Sequence, residues 1–134
     1  MKLFHLTVVT PDGTKFDEEA QSLTVRTSEG DIQILAGHMP FFGGVAVGPC
    51  KITDRDGNTH IASCSGGFLA VGKDGVNLVP VTFEYAEEID LVRAKAAKER
   101  AQNSLKSAKN SAEIYLAEAK LMRALSRISV AERK

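Results

Sequence analysis

A few residues near the end of the chain have the types and spacing to handle a charged ligand. Asp90, Arg93, Ala97 and Arg100 step by three, four and three, which puts them on one face of a helix. Arg123 and Arg127 stand one turn apart in a later segment and would share a face of a second helix. Guanidinium forks converging from two helices can grip phosphate oxygens in pairs. The plainer reading of the same residues is a solvated face with an Asp90–Arg93 ion pair, which stabilises a helix by roughly a few tenths of a kcal/mol.

The other candidates for chemistry reduce to structure. Gly66-Gly67 lacks the lysine and the following helix of a phosphate loop, and the apolar run Phe68–Val71 after it predicts a strand, so the pair reads as a tight bend. Asp54-Arg55-Asp56-Gly57-Asn58 hints at a calcium loop but has no bidentate glutamate at the twelfth position, and a hairpin turn fits better. Cys50 and Cys64 form no Cys-x-x-Cys pair, and His5, His38 and His60 are scattered, so neither type clusters as a zinc site requires. Buried apolar thiols are the expectation. Around His60, Ser63 and Cys64 there is no glycine-flanked nucleophile, and no carboxylate pair stands out as an acid–base dyad. The sequence therefore predicts no catalytic residue, no metal site and no required cofactor.

The elements that must hold the arginines differ sharply from those before them. All eleven glycines lie at or before Gly75 and all four prolines at or before Pro80; beyond that point alanine becomes common. Turn chemistry fills the first part and helix chemistry the second. Short alternating runs, such as Leu23/Val25, Ile32/Ile34 and Leu69/Val71, predict half-buried strands. They fall near 3–9, 14–17, 21–27, 31–35, 42–47, 50–53, 59–64, 67–71, 76–79 and 81–84. Strands this short and closely spaced predict a β-sandwich or flattened barrel. Further on, the period turns helical. Leu91, Ala94, Ala97, Ala101 and Leu105 make one stripe, and Ile114, Ala117, Leu121, Ala124, Leu125 and Ile128 make another. The polar run Asn103–Ser111 separates them, with Asn110 able to cap the second helix and Glu113 in the capping-box place. Glu87, Glu88 and Asp90 crowd the start of the first helix, where the dipole favours acids.

The expected fold is thus mixed, β then α: a sandwich domain over 1–84 and an antiparallel two-helix hairpin over 85–134, with the boundary between Pro80 and Glu88. Alanines on the hairpin seam allow close approach but bury little area, so the hairpin should be marginal and free to open.

Charge divides the chain in the same place. Residues 1–84 carry six basic and ten acidic side chains, a balance of −4; residues 85–134 carry eleven and seven, a balance of +4. The basic half invites an acidic partner. Over all 134 residues the formal charge is zero, which argues against a protein that coats nucleic acid. The 43% of hydrophobic residues excludes wholesale disorder. No apolar run approaches a membrane span, and Met1-Lys2-Leu3-Phe4-His5 does not open like a signal peptide. Two unpaired-looking cysteines then fit a reducing, cytoplasmic setting.

Taken in order, several short segments resemble the epsilon-subunit family of bacterial F-type ATP synthases, over essentially the whole chain. They are Val9-Thr10-Pro11-Asp12-Gly13, then Glu29-Gly30-Asp31-Ile32-Gln33-Ile34-Leu35-Ala36-Gly37-His38-Met39-Pro40, then Ser65-Gly66-Gly67-Phe68-Leu69-Ala70-Val71. Ala86-Glu87-Glu88-Ile89-Asp90-Leu91-Val92-Arg93-Ala94 and Ser129-Val130-Ala131-Glu132 complete the set. Two departures stand out: Gln33 and Ala36 replace a glycine and a proline usual in the second segment. Thr82-Phe83-Glu84-Tyr85 replaces an alanine-rich stretch before the hairpin.

The resemblance implies a non-catalytic central-stalk subunit that couples proton flow to rotary ATP synthesis. It implies contacts of the sandwich with the gamma subunit and the membrane c-ring, with Asp31 and His38 at or near them. It implies a hairpin that either folds down on the sandwich or extends along gamma, where basic residues such as Arg123 and Arg127 reach an acidic segment of the α/β catalytic hexamer and block ATP hydrolysis. The location implied is peripheral, on the cytoplasmic face of the cell membrane, held there only through the complex. The family's ATP-binding motif, Ile-Asp-x-x-Arg-Ala, is met by Ile89, Asp90, Arg93 and Ala94, and Glu84, Arg100 and Arg127 align with further nucleotide-contacting positions, so ATP would be a regulatory ligand. A stand-alone ATP-sensing module is the competing class. Retention with gamma and the hexamer separates the two.

Overall fold

Hydrophobic alternation and turn placement decide the first two thirds of the chain. A computed structural model describes residues 2–133. Nine strands come first: β1 (Phe4–Thr10), β2 (Gly13–Thr27), β3 (Gly30–Leu35), β4 (Phe41–Gly44), β5 (Gly48–Asp54), β6 (Thr59–Ser65), β7 (Phe68–Gly72), β8 (Gly75–Val79) and β9 (Thr82–Tyr85). A single 3-10 turn, Ala86–Glu88, leads into α1 (Leu91–Ser107) and α2 (Ser111–Ala131). The strands hydrogen-bond in the order β4-β7-β8-β1-β2-β5-β6-β9, with β3 added on β2, and β1–β8 is the parallel pair among the described ladders.

Ten strands were expected and nine are present, because 14–17 and 21–27 belong to the single 15-residue strand β2. No glycine or proline interrupts Asp17-Glu18-Glu19-Ala20, so nothing breaks the strand there. Its first half pairs with β1 and its second half with β3 on the same edge, while β5 takes the opposite edge. The β2–β5 ladder slips between Ala20 and Ser22, and such a bulge bends a strand. β2 thereby carries the chain from one layer of the sandwich to the other. A bridge between Thr27 and Val45 closes the far side.

Inward positions fill one core: Leu6 and Val8 on β1, Leu23 and Val25 on β2, Ile34 on β3, Ile52 on β5, Leu69 on β7, Leu78 on β8 and Phe83 on β9. Cys50 and Cys64 sit among them as free thiols. Burial pushes both thiols up, Cys64 to about 12, which leaves them unreactive core groups. Gly66 and Gly67 form the expected bend, at φ +71° and +77°. At Gly67 a Cβ would lie 1.9 Å from the Val79 carbonyl oxygen, so only glycine fits. The Asp54 segment is a hairpin turn: its carboxylate accepts from the amides of Asp56 and Asn58 at 2.9 Å each and meets His60 Nε2 at 2.8 Å.

The helices form an antiparallel hairpin around a three-residue loop, Ala108–Asn110. Their seam is made of Ala94, Ala101, Ala117 and Ala124, all buried. Two expectations change here. The run 103–107 is helical, not a break, since α1 extends to Ser107 and the loop alone reverses the chain. Ile114 and Leu125 point outward instead of joining the seam, because the alanines bring the helices too close to admit them. Asn110 caps α2, accepting from the Glu113 amide at 2.9 Å, while Glu113 reaches back to the Lys109 amide at 2.6 Å.

Candidate functional site

The hairpin lies folded down on the sandwich, with α2 packed over β5 and β6. A second, small core forms where the chain enters α1 and leaves α2: Ala86, Ile89, Ala94, Val130 and Ala131 are buried together against Ile61, Leu91 and Ile128. Two polar contacts hold the docked face. The Ser63 and Ser126 hydroxyls hydrogen-bond at 2.9 Å in a buried position. Arg127 Nη2 donates to Glu84 Oε2 at 3.2 Å, and its Nε lies 2.7 Å from Oε1. This ion pair, with one hydrogen bond, links β9 to α2. Both side chains keep about a third of their surface, so the pair contributes under roughly 1 kcal/mol.

The expected nucleotide residues therefore have distinct surroundings. Ile89 is a plug in the small core, and Ala94 is fully buried on the seam. Asp90 does not pair with the Arg93 guanidinium, contrary to the plainer reading of the sequence. Its Oδ1 accepts from the Arg93 backbone amide at 3.1 Å and caps α1, because a carboxylate at that position satisfies an amide the helix itself cannot. Glu87 and Glu88 are not in the first turn of α1. They belong to the preceding 3-10 turn, where Glu88 Oε1 accepts from the Tyr85 amide at 3.0 Å.

Arg93, Arg100 and Arg123 are exposed, and no carboxylate among the described residues lies within ion-pair distance of them. Their common flank follows from the groove beside the hairpin loop. Ser104 of α1 and Leu116 and Lys120 of α2 line one side of that groove, which encloses about 280 Å³. Ser104 is one turn beyond Arg100, and Lys120 is one turn before Arg123, so both arginine rows continue the same flank. The opposite flank carries Lys95, Lys98 and Lys106 with Ile128 and Glu132. The arginine flank thus offers three free guanidinium groups and Lys120, with Arg127 already engaged by Glu84.

Asp31 and His38 are not neighbours: they flank opposite ends of β3. Asp31 pairs with Arg26 at 2.9 Å across the β2–β3 ladder. His38 donates from Nδ1 to the Met39 carbonyl at 2.7 Å, and its amide closes the turn on Leu35. Around it the sandwich shows apolar side chains to solvent, notably Met39 at 77% and Phe42 at 73% exposed. The Phe42 and Phe68 rings lean together with centroids 5.3 Å apart. Sequence reasoning missed this apolar surface and the Ser63–Ser126 contact. Ser126 had a readable signal, since it sits four residues before Val130 on the α2 face that turns to the sheet.

Comparison with known proteins decides the family. Residues 3–97 match the model of the ATP synthase delta/epsilon chain β-sandwich domain, and residues 87–132 match that of its long α-helix domain. The chain belongs to the ATP synthase epsilon family. It is 40% identical over 131 residues to the ATP synthase epsilon chain of Bacillus velezensis, covering 98% of each chain. It is 39% identical over 132 residues to that of Caldanaerobacter subterraneus, covering 98% of this chain and 96% of the relative. A chain in the Euglena gracilis mitochondrial ATP synthase superposes with a TM-score of 0.85 at 26% identity, over 97% of this chain and 81% of that one. Epsilon chains are non-catalytic central-stalk subunits of the ATP synthase, and so is this one. No helix among the described residues is long and apolar enough to cross a membrane.

Proposed function

We propose that this epsilon chain couples proton flow to rotary ATP synthesis through its sandwich and restrains ATP hydrolysis through its hairpin. The carrying observation is how little docks the hairpin: the small core around Ile89 and Val130, one buried hydroxyl pair and one ion pair about a third exposed. Opening it returns two hydroxyls and two charges to water at little cost and exposes only the few apolar side chains of that small core. The sandwich, residues 1–84, closes its own core and would fold alone. Its apolar surface at Met39, Phe42 and Phe68, with Asp31 and His38 at either end of β3, is the candidate contact with gamma and the c-ring. The complex would sit peripherally on the cytoplasmic face of the membrane.

Once extended, the hairpin would bring Arg123 and a released Arg127 to an acidic surface of the α/β hexamer. Deleting residues 88–134 in the assembled enzyme should keep it active and raise ATP hydrolysis. Unchanged hydrolysis, under conditions where inhibition is otherwise visible, would contradict the brake.

ATP is the proposed regulator of the folded-down state. Support comes from the flank where Arg93, Arg100 and Arg123 stand without carboxylate partners, beside Glu84 and Arg127. Phosphate oxygens suit the arginines; Glu84 suits a donor on the base or ribose. Binding only the closed hairpin, ATP would stabilise it by its differential affinity. In calorimetry Arg93→Ala should weaken binding roughly tenfold or more, since a charge-assisted bond contributes about 1.5–3 kcal/mol. Wild-type affinity in that variant would return the arginines to a solvated surface.

A further inference from the structure

His5 stands between two carboxylates on the outer face of the sandwich. Leu6 and Val8 point into the core, so His5 on the same strand faces outward. The β1–β2 ladder sets His5 opposite Glu19 and Thr7 opposite Asp17, which brings both acids to that face. His5 Nε2 lies 2.6 Å from Asp17 Oδ1, and Nδ1 lies 3.3 Å from Glu19 Oε2. The two contacts are unequal. Asp17 is hydrogen-bonded to the ring, whereas Glu19 Oε2 is shut off from solvent and has no hydrogen-bond partner.

A neutral imidazole has one N–H and one lone pair; an imidazolium has two N–H groups. Only the protonated ring therefore offers a proton to each acid. The neutral ring, with Asp17 taking the short bond, turns a lone pair toward Glu19, and a carboxylate oxygen closed off from water in that state is costly. Glu19 has an alternative. It lines a cavity of about 460 Å³ with His5, His38 and the β7–β8 turn residues Lys73 and Asp74. That turn is close against β1, since a Cβ on Gly75 would lie 3.0 Å from the His5 carbonyl oxygen. Among the described residues, no carboxylate lies within ion-pair distance of Lys73. The charged and titratable groups around His5 are thus Asp17 and Glu19 on β2, Lys73 and Asp74 on the β7–β8 turn, and His38 after β3.

We propose that His5 is a proton-operated clasp: protonated, it holds Glu19 beside Asp17; neutral, it releases Glu19 into the cavity to pair with Lys73. The acid then ties β2 to β1 in one state and to the β7–β8 turn in the other. A neighbouring cavity of about 660 Å³ is lined by His5 and the same turn together with Phe41 and Phe42, so the clasp adjoins the apolar surface of the sandwich. The Asp17 hydrogen bond, then the charges of Asp17 and Glu19, hold the His5 ring above its ordinary value of 6.5 against the opposing cost of desolvation. A raised histidine contributes stability that is fully present below 6.5 and is lost as pH rises through the folded value.

An NMR pH titration of the full chain tests the clasp, following the His5 ring, the Glu19 carboxylate carbon and Lys73 Cε together. In the wild type the His5 midpoint should lie above 6.5, and the Glu19 and Lys73 signals should move with that same midpoint. Asp17→Asn should lower the His5 midpoint more than Glu19→Gln does, and the Glu19 and Lys73 midpoints should follow it down, which separates them from any response to His38. His5→Gln should abolish the coupled movement. In denaturant, the wild type should exceed His5→Gln in midpoint below pH 6.5, and the gap should close as pH rises through the His5 titration. A His5 midpoint at or below 6.5, or a gap that does not change with pH, would overturn the clasp. Glu19 moving without Lys73, or neither moving as His5 titrates, would overturn the exchange of partners.

Discussion

The sandwich and the hairpin are built on opposite principles. Leu6, Leu23, Ile34, Ile52, Leu69 and Leu78 are all fully buried in the first, and each such side chain contributes about 1.5–3 kcal/mol. The second closes on Ala94, Ala101, Ala117 and Ala124, whose single methyls contribute about 0.8 kcal/mol each at most. α2 also leaves Tyr115, Leu116 and Met122 more than half exposed. One region is a scaffold that loses everything on opening. The other can leave its dock while keeping its own backbone hydrogen bonds, because a helix satisfies them internally. The part proposed to move is thus the one with the smaller side chains at its contacts.

The comparison breaks most visibly in the scaffold. Leu78→Ala should destabilise the whole chain by about 2–5 kcal/mol, read as a lower denaturant midpoint for sandwich and hairpin together. If only the hairpin melted earlier, the two regions would not differ as argued. A change on the seam should do the reverse. Ala101→Leu overfills a close helix contact, costing about 1–3 kcal/mol within the hairpin alone. Trypsin should then cut α1 faster while the sandwich midpoint stays put.

Smaller effects sharpen the picture. Glu84→Gln removes the ionic link between β9 and α2 and should loosen the dock by less than about 1 kcal/mol, visible at low salt and gone near 1 M. The mildest test lies in the sandwich. The His60 hydrogen bond, then those from the Asn58 and Asp56 amides, hold Asp54 below its ordinary value of 3.8. A lowered carboxylate pKa contributes stability that is present above the unfolded value and is lost as pH falls through the folded one. Asp54→Asn should therefore flatten the acid limb of sandwich stability below about pH 4 and leave hairpin docking unaffected.

Most of this division could be read from the residues. Glycine and proline stop where the sandwich stops, and alanine spacing announced the seam. What stayed hidden depends on partners distant in sequence. The continuity of β2 through Glu18-Glu19 depends on the β1 ladder that pairs them with Leu6 and His5, and the β5 ladder takes over from Ala20. The outward turn of Ile114 and Leu125 follows from how closely the alanines draw the helices together, which a hydrophobic stripe alone does not encode. The arginine flank was legible from helical spacing. That Glu84 and Arg127 would neutralise each other across 43 residues, and that Asp90 would turn to a backbone amide, was not.

The central claim is that the hairpin leaves its dock without the sandwich unfolding. Native-state amide hydrogen exchange on the full chain tests it most directly, because local opening and global unfolding leave different patterns. The account predicts that the amides of β5 and β6 stay as protected as the rest of the sandwich core, while those of α1 and α2 exchange through a lower-energy opening that ATP suppresses. Helix and core amides exchanging together, with the same dependence on denaturant and no response to ATP, would contradict it.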